Sequence, residues 1–355
     1  MTKNANRLFY ADTLRFMSIV AVVLLHNTAD YHIGYNAMLP SNWWANVIYY
    51  GICRFCVPMF VMLSGMFLLN PKKEVNLRQL FAERIPKLLL PLFFWSMVYV
   101  VIDVYNTDAK WGGFHLGTTI NQFLQGPVIY HFWFLYMMVG IYLIYPILHL
   151  FVKSAERKHV EYYLLVWLIA NCLFGVAEVA FDWKIGIELK DFTGYAGYFI
   201  LGYYLNTYPF SKKITALLYG LMVVGFLLSA IIFPCIFKVT HFSNGPEIME
   251  SDTTIDVVMM ATGLFVWLKN KVSALPGKGI LYNIISEGSK ESYALYLVHV
   301  IVLHSLFEGG ALLESHFANQ SAWYTVPIRA TGTLVLSYLL VKLVRLVPFL
   351  NKTLG

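Results

Sequence analysis

Ten runs of mostly apolar residues recur along the chain, most of them about twenty residues long. They fall at approximately 11–29, 45–69, 85–105, 129–152, 160–180, 192–207, 214–237, 253–270, 290–308 and 323–347. Twenty helical residues rise about 30 Å, the thickness of a bilayer's hydrocarbon core. A backbone in lipid has no water to bond to, so each run must satisfy its own N–H and C=O groups as a helix. The pattern predicts an all-α fold, a polytopic membrane bundle of about ten transmembrane helices. Only 13% of the residues are charged, against about 25% in soluble domains. The sixth run is short and glycine-rich (GYAGYFILGYYL), and the eighth contains Asp256.

Loop charge tests this map independently. Of the 26 Lys and Arg, 19 fall in the termini, the loops and the adjoining ends of runs on the N-terminal side of the membrane. Four (Lys110, Lys184, Lys190 and Lys238) fall on the other side, and Arg15, Arg54 and Arg329 lie within or at spans. Cytoplasmic loops carry the excess of Lys and Arg, so both termini are expected in the cytoplasm. The net charge of +6 is then a topology signal, and no nucleic-acid partner is expected. Short loops imply a single membrane domain over 1–355 with no appended soluble domain. The N-terminal segment, with Arg15 inside its apolar run, reads as a retained first span rather than a cleaved signal peptide. The segment 71–83 (PKKEVNLRQLFAE) is expected to lie as a helix on the cytoplasmic surface.

Four cysteines make no disulfide framework, and Cys53 and Cys56 read as small apolar fillers one turn apart. No further soft ligands stand near them, so no metal site is expected.

Ionisable side chains within a span cost on the order of 3 kcal/mol each at the bilayer centre and ask for a reason. The first run, ADTLRFMSIVAVVLLHNTAD, holds Asp12, Arg15 and His26. At 100° per residue the step from Arg15 to His26 brings the two within about 20° of overlap and about 16 Å apart along the axis. Asp12 and Arg15 are an i,i+3 pair. All three share one stripe, which places Arg15 near the cytoplasmic end and His26 deeper. The bland alternative has Arg15 snorkelling to the interface and His26 as a satisfied core imidazole. Asp103, Glu178, Asp256 and Arg329 are interfacial or paired with partners the sequence does not name.

Other motifs follow in order: Arg54, Pro58, Phe60, Ser64 and Gly65 in RFCVPMFVMLSGMFL; Arg84, Lys87 and Pro91 in ERIPKLLLPLFFW; Trp133, Phe134, Leu135, Tyr142 and Pro146 in HFWFLYMMVGIYLIYPIL; GYFILGYYL; and Ser292, Tyr296 and His299 in SYALYLVH. Together with the first-span Arg, ten residues, His, this series resembles the acyltransferase 3 family of membrane proteins over nearly the whole chain. The layout is most similar to the enterobacterial common antigen O-acetyltransferase type.

The resemblance implies transfer of an acyl group, usually acetyl, from coenzyme A to a hydroxyl of a surface glycan or its lipid-linked precursor, in the bacterial inner membrane. Acetyl-CoA is the expected donor, as a co-substrate. The resemblance implies His26 as essential and Arg15 as its companion. A buried neutral imidazole suits the removal of a proton from a sugar hydroxyl attacking a thioester. Direct transfer is preferred because no activated Ser or Cys accompanies the histidine, and an acyl-imidazole intermediate remains open. Arg15 either holds a donor phosphate or carbonyl or pairs with Asp12 to fix the helix. Arg84 and Lys87 either meet the coenzyme's phosphates or are an ordinary basic flank. Candidate acceptor contacts are Arg54, Ser64, His131, Trp133, Tyr296 and His299. Several have a structural alternative: close helix packing at Ser64 and Gly65, interfacial anchoring at Trp133 with His131 and Phe134, core structure at His299. A transporter or flippase of an envelope intermediate is the competing class, since intramembrane charges also suit that task. A membrane sensor or scaffold is a third.

Overall fold

The structure is a computed structural model that describes residues 8–28, 39–106, 116–174, 194–240, 250–272, 278–307, 313–317 and 320–354. Among these residues there are helices and connections and no strands. In chain order the helices are α1 (Phe9–His26), α2 (Pro40–Cys53), α3 (Cys56–Leu68), α4 (Leu77–Gln79), α5 (Ile85–Asn106), α6 (Leu116–Gln125), α7 (Trp133–Ser154), α8 (Arg157–Leu168), α9 (Ala196–Thr207), α10 (Lys212–Leu227), α11 (Phe233–Thr240), α12 (Ile255–Val272), α13 (Ile280–Phe307), α14 (Glu314–Phe317), α15 (Ala322–Arg345) and α16 (Pro348–Asn351).

Helix stands at each of the ten predicted runs, within the described residues. Six segments are long and apolar enough to cross a membrane: Phe9–His26, Pro40–Leu68, Leu77–Ile102, Tyr130–Ser154, Lys212–Val239 and Ala322–Arg345. The chain is thus a multi-pass membrane protein. The helices outside that set include the most enclosed. In α9 every residue from Ala196 to Leu205 is buried. By contrast only 22% of the best window of Lys212–Val239 is buried inside the protein, so that segment presents its Leu and Val side chains to lipid. A helix ringed by other helices meets little lipid, and so can carry charges such as Asp256 or Glu291 when they are paired.

Two features depart from the expected outline. The second run breaks at Arg54 and Phe55, between α2 and α3. Pro58 has no N–H for the Arg54 carbonyl, which releases the helix at that point. The segment 71–83 is not one surface helix. Residues 71–76 are non-helical, α4 starts after Asn76, whose side chain accepts from the Gln79 backbone N–H, and a π-helical turn over Leu80–Arg84 leads directly into α5. Asn76 is a good N-cap.

Glycine sets the closest helix contact. A Cβ at Gly65 of α3 would stand 1.7 Å from the Phe199 carbonyl oxygen of α9, and one at Gly202 of α9 would stand 1.9 Å from the Met62 carbonyl oxygen of α3. The two backbones therefore touch at two points one turn apart on each helix, a common device where lipid removes the hydrophobic drive for association. Gly65→Ala is expected to force α3 and α9 apart. It should lower the thermal midpoint of the purified protein markedly, read by size-exclusion recovery after heating. The same change at Gly140, where a Cβ meets nothing within 4 Å, should leave it unmoved.

Candidate active site

The polar stripe of α1 meets a second stripe on α13. The two helices run side by side in the same direction, because contacts near the start of one match contacts near the start of the other. Phe16 packs over Gly288 so tightly that a Cβ there would sit 2.3 Å from the ring. At the end of the bundle bearing the chain termini, Ser289 Oγ donates to Asp12 Oδ1 at 2.8 Å. Arg15 Nη1 stands 3.4 Å from the same hydroxyl and 3.8 Å from Asp12 Oδ1. Asp12 is buried, but the Arg15 side chain is 32% exposed and passes over the Phe67 ring at 5.7 Å. Arg15 therefore leans on Asp12 without being absorbed by it.

A second guanidinium stands at the same end. Arg84 closes the turn before α5, which the Tyr293 hydroxyl of α13 meets at the Leu88 carbonyl at 3.4 Å, and lies 5.6 Å from the centre of the Tyr145 ring. Arg84 Nη1 is buried with no hydrogen-bond partner among the described residues. Such an orphaned charged donor calls for an occupant. Lys87, one turn further on, is exposed on the face it shares with exposed Leu90. The same end is tied by Glu291, fully buried on α13, which accepts from Arg345 Nη2 at 2.7 Å and Lys342 Nζ at 3.0 Å on α15.

At the other end of the stripe the imidazoles gather. The His26 ring lies 5.2 Å from that of His299 and 6.2 Å from that of His131, and His131 and His299 are 5.1 Å apart. Tyr130 closes the group at 5.2 Å from His26. The Tyr296 hydroxyl donates to the His131 carbonyl, and the Tyr99 hydroxyl donates to the Leu297 carbonyl at 3.0 Å. These bonds fix the backbone around the cluster. His299 Nδ1 is 2.8 Å from the Tyr296 carbonyl oxygen. A carbonyl only accepts, so Nδ1 carries the proton and, in the neutral ring, Nε2 carries the lone pair. That Nε2 and both ring nitrogens of His131 are buried without a hydrogen-bond partner among the described residues.

The cluster opens on a cavity of about 850 Å³, within the range of about 300–1,000 Å³ usual for small-molecule sites. His26, Tyr130, His131, Trp133, Phe134, Tyr296 and His304 form one wall, and Asn171, Tyr195, Glu250 and Asp252 the other. Asp252 lies in the turn ahead of α12, where its carboxylate accepts from the Tyr195 hydroxyl at 3.2 Å. Burial pushes its carboxyl up to about 7, against the lowering effects of Arg54 and Tyr195. The far wall therefore carries less than full negative charge near neutral pH.

Of the residues read from sequence, His26, His131, Trp133 and Tyr296 line this cavity, and His299 packs against three of them. Asp12, Arg15 and Arg84 assemble at the opposite end. Neither Arg54 nor Ser64 lines the cavity, although Arg54 Nη2 donates at 2.8 Å to the carbonyl of Ser251, which does. Arg54 is buried, with Nη1 2.6 Å from Asp256 Oδ2 and 3.0 Å from Ser229 Oγ, and Nη2 2.8 Å from Thr254 Oγ1. Ser64 Oγ donates to the Phe60 carbonyl of its own helix at 3.0 Å. Glu178 lies outside the described residues. Tyr130, Asn171, Tyr195, Glu250, Asp252 and His304 were not anticipated. His304, five residues beyond His299 on the same helix, and Asn171, a polar residue inside the fifth run, had a signal in the sequence; the others stand in turns or at helix ends that no periodicity marks.

No curated protein and no solved structure matches the chain. The acyltransferase domain family model matches residues 8–342. That segment begins at the cap of α1 and runs to Lys342 of α15, enclosing both ends of the paired stripes, and it places this membrane protein in the acyltransferase 3 family.

Proposed function

We propose that the chain is a membrane O-acyltransferase moving an acetyl group from acetyl-CoA to a hydroxyl of a cell-surface glycan or its lipid-linked precursor. One observation carries this reading: two parallel helices lead from an arginine pair at the end with the termini to a histidine cluster that opens on a cavity. The termini lie in the cytoplasm of a bacterial inner membrane, where coenzyme A is available. Arg84 and Arg15 receive the donor's phosphates, and the thioester arm extends along the stripe towards His26. Lys87 adds positive charge at the entrance. The glycan enters the cavity from the other side, among His131, Trp133 and Tyr296.

In the transfer the acceptor oxygen attacks the thioester carbonyl carbon while His26 takes the hydroxyl proton. The C–S bond then breaks, the ester forms, and the departing thiolate takes the proton back from the imidazolium, releasing coenzyme A. His299 Nε2, with its lone pair set by the Tyr296 carbonyl, is placed to hold a hydrogen on the neighbouring imidazole or on the acceptor. General base catalysis of this kind contributes about 10²–10⁴-fold.

The test is release of free coenzyme A by the purified protein in lipid discs, dependent on added acceptor. A transporter moves solute without cleaving the thioester, so acceptor transport with the thioester intact would defeat the proposal. At the donor end, Arg84→Gln is expected to raise KM for acetyl-CoA about 10–100-fold, since a charged hydrogen bond contributes about 1.5–3 kcal/mol. With acetyl-pantetheine, which lacks the nucleotide phosphates, the change should have little effect. An equal loss with both donors would contradict a phosphate contact.

A further inference from the structure

We propose that a second cavity beside the histidine cluster is an acceptor subsite. It would take an uncharged, hydroxyl-rich sugar ring adjacent to the one that is acylated. This rests on the acyltransferase reading above. The cavity measures about 490 Å³ and lies between α5, α6 and the end of α13. His304 lines it and lines the larger chamber too. Tyr130 bridges the same junction, 5.2 Å from His26 and 6.2 Å from His304. A ligand with its reactive hydroxyl at His26 therefore has neighbouring space on the far side of His304.

The lining decides the ligand's chemistry. Gln122 and Gln125, i and i+3 on α6, contribute two amides, and Ser305 contributes a hydroxyl. The Tyr99 ring forms an apolar wall, its hydroxyl already given to the Leu297 carbonyl. No Lys, Arg, Asp or Glu lines the cavity among the described residues. A phosphate or carboxylate would find no cation there. An acyl chain would displace water from both amides and offer them no hydrogen-bond partner in exchange. Sugar hydroxyls donate and accept, as amides and serine do, and a sugar's C–H faces suit an aromatic wall.

The helix that carries the amides is held in place. Phe123, between them in sequence, packs 5.4 Å from Phe93 and 5.8 Å from Tyr136, and the Tyr136 hydroxyl donates to the Phe123 carbonyl at 2.5 Å. This anchors α6 to α5 and α7, so the subsite is built before a ligand arrives.

The experiment compares acceptors of different length, cut from the producing cell's own surface glycan to one and to three sugar units. The double change Gln122→Ala with Gln125→Ala should raise KM for the three-unit acceptor about tenfold. It should leave KM for the one-unit acceptor and for acetyl-CoA within twofold, and kcat unchanged. Ser305→Phe, which fills the cavity from the opposite wall, should give the same split and guards against a defect confined to α6. Equal losses for both acceptors, or none for either, would overturn the subsite while leaving the transferase reading intact. A wild-type protein that releases no coenzyme A with any fragment would overturn both.

Discussion

His26→Ala lowers the rate of acyl transfer by about 10²–10⁴-fold, the range that a positioned general base contributes, while the protein remains folded in the membrane. The second half of that expectation follows from what the side chain touches. His26 ends α1 and is partly exposed to the cavity, and its contacts among the described residues are with the rings of Tyr130, His131 and His299. Removing it deletes no hydrogen bond on which the bundle depends. KM for acetyl-CoA should move little, because the donor's phosphates are held at the other end of the stripe. The readout is coenzyme A release by the purified variant, alongside O-acetyl signals in the proton NMR spectrum of the glycan from cells carrying it. Transfer at a tenth of the wild-type rate or more would remove His26 from the role of base. His299, whose Nε2 has no hydrogen-bond partner among the described residues, would then be the imidazole to test.

Helical periodicity alone placed Asp12, Arg15 and His26 on one face, since a 100° step depends only on residue numbers. It gave no second face for them to meet. The partner stripe of Ser289, Tyr296 and His299 lies more than 270 residues away, and the antecedent signal, a histidine in the ninth run, did not say which helix it faced. Depth was legible for the same reason that contact was not: position along a span follows from counting, whereas neighbours follow from packing. The ten runs were visible as hydropathy, yet the helices most enclosed by protein are poorly marked by it. Their burial against other helices relaxes the demand for apolar surface on every side, as Asp256 in α12 and Glu291 in α13 illustrate. Glycines were legible as a composition and not as a contact. Gly65 and Gly202 acquire meaning only from the carbonyls of Phe199 and Met62 that press on them.

Arg54 gives the second large effect, and it falls on folding rather than on substrate. Its guanidinium meets Asp256 at 2.6 Å with both side chains out of reach of solvent, and Ser229, Thr254 and the Ser251 carbonyl take further N–H groups. Ser229 itself donates to the Gly51 carbonyl at 3.1 Å, from a π-helical turn at Leu228–Ile232 that presses against Gly51. One side chain thus joins α2, α12 and the segment between α10 and α11 at the point where Pro58 has loosened the helix. Arg54→Met leaves Asp256 as an uncompensated buried charge, which costs about 3–5 kcal/mol. That is a large share of the roughly 5–15 kcal/mol by which a native fold is stable, so the variant should be recovered poorly from membranes and melt well below the wild type. Adding Asp256→Leu removes the stranded carboxylate and should restore much of the loss, because a buried pair replaced by apolar groups of similar size is often nearly neutral. The double variant also separates structure from chemistry. If it folds and transfers acyl groups at close to the wild-type rate per folded molecule, Arg54 is a clamp between helices and not an acceptor contact. If it folds and is inactive, the guanidinium supports the reaction through Ser251, whose carbonyl it holds at 2.8 Å and which lines the cavity. An Arg54→Met protein that melts like the wild type would mean that the pair contributes nothing to holding these helices together.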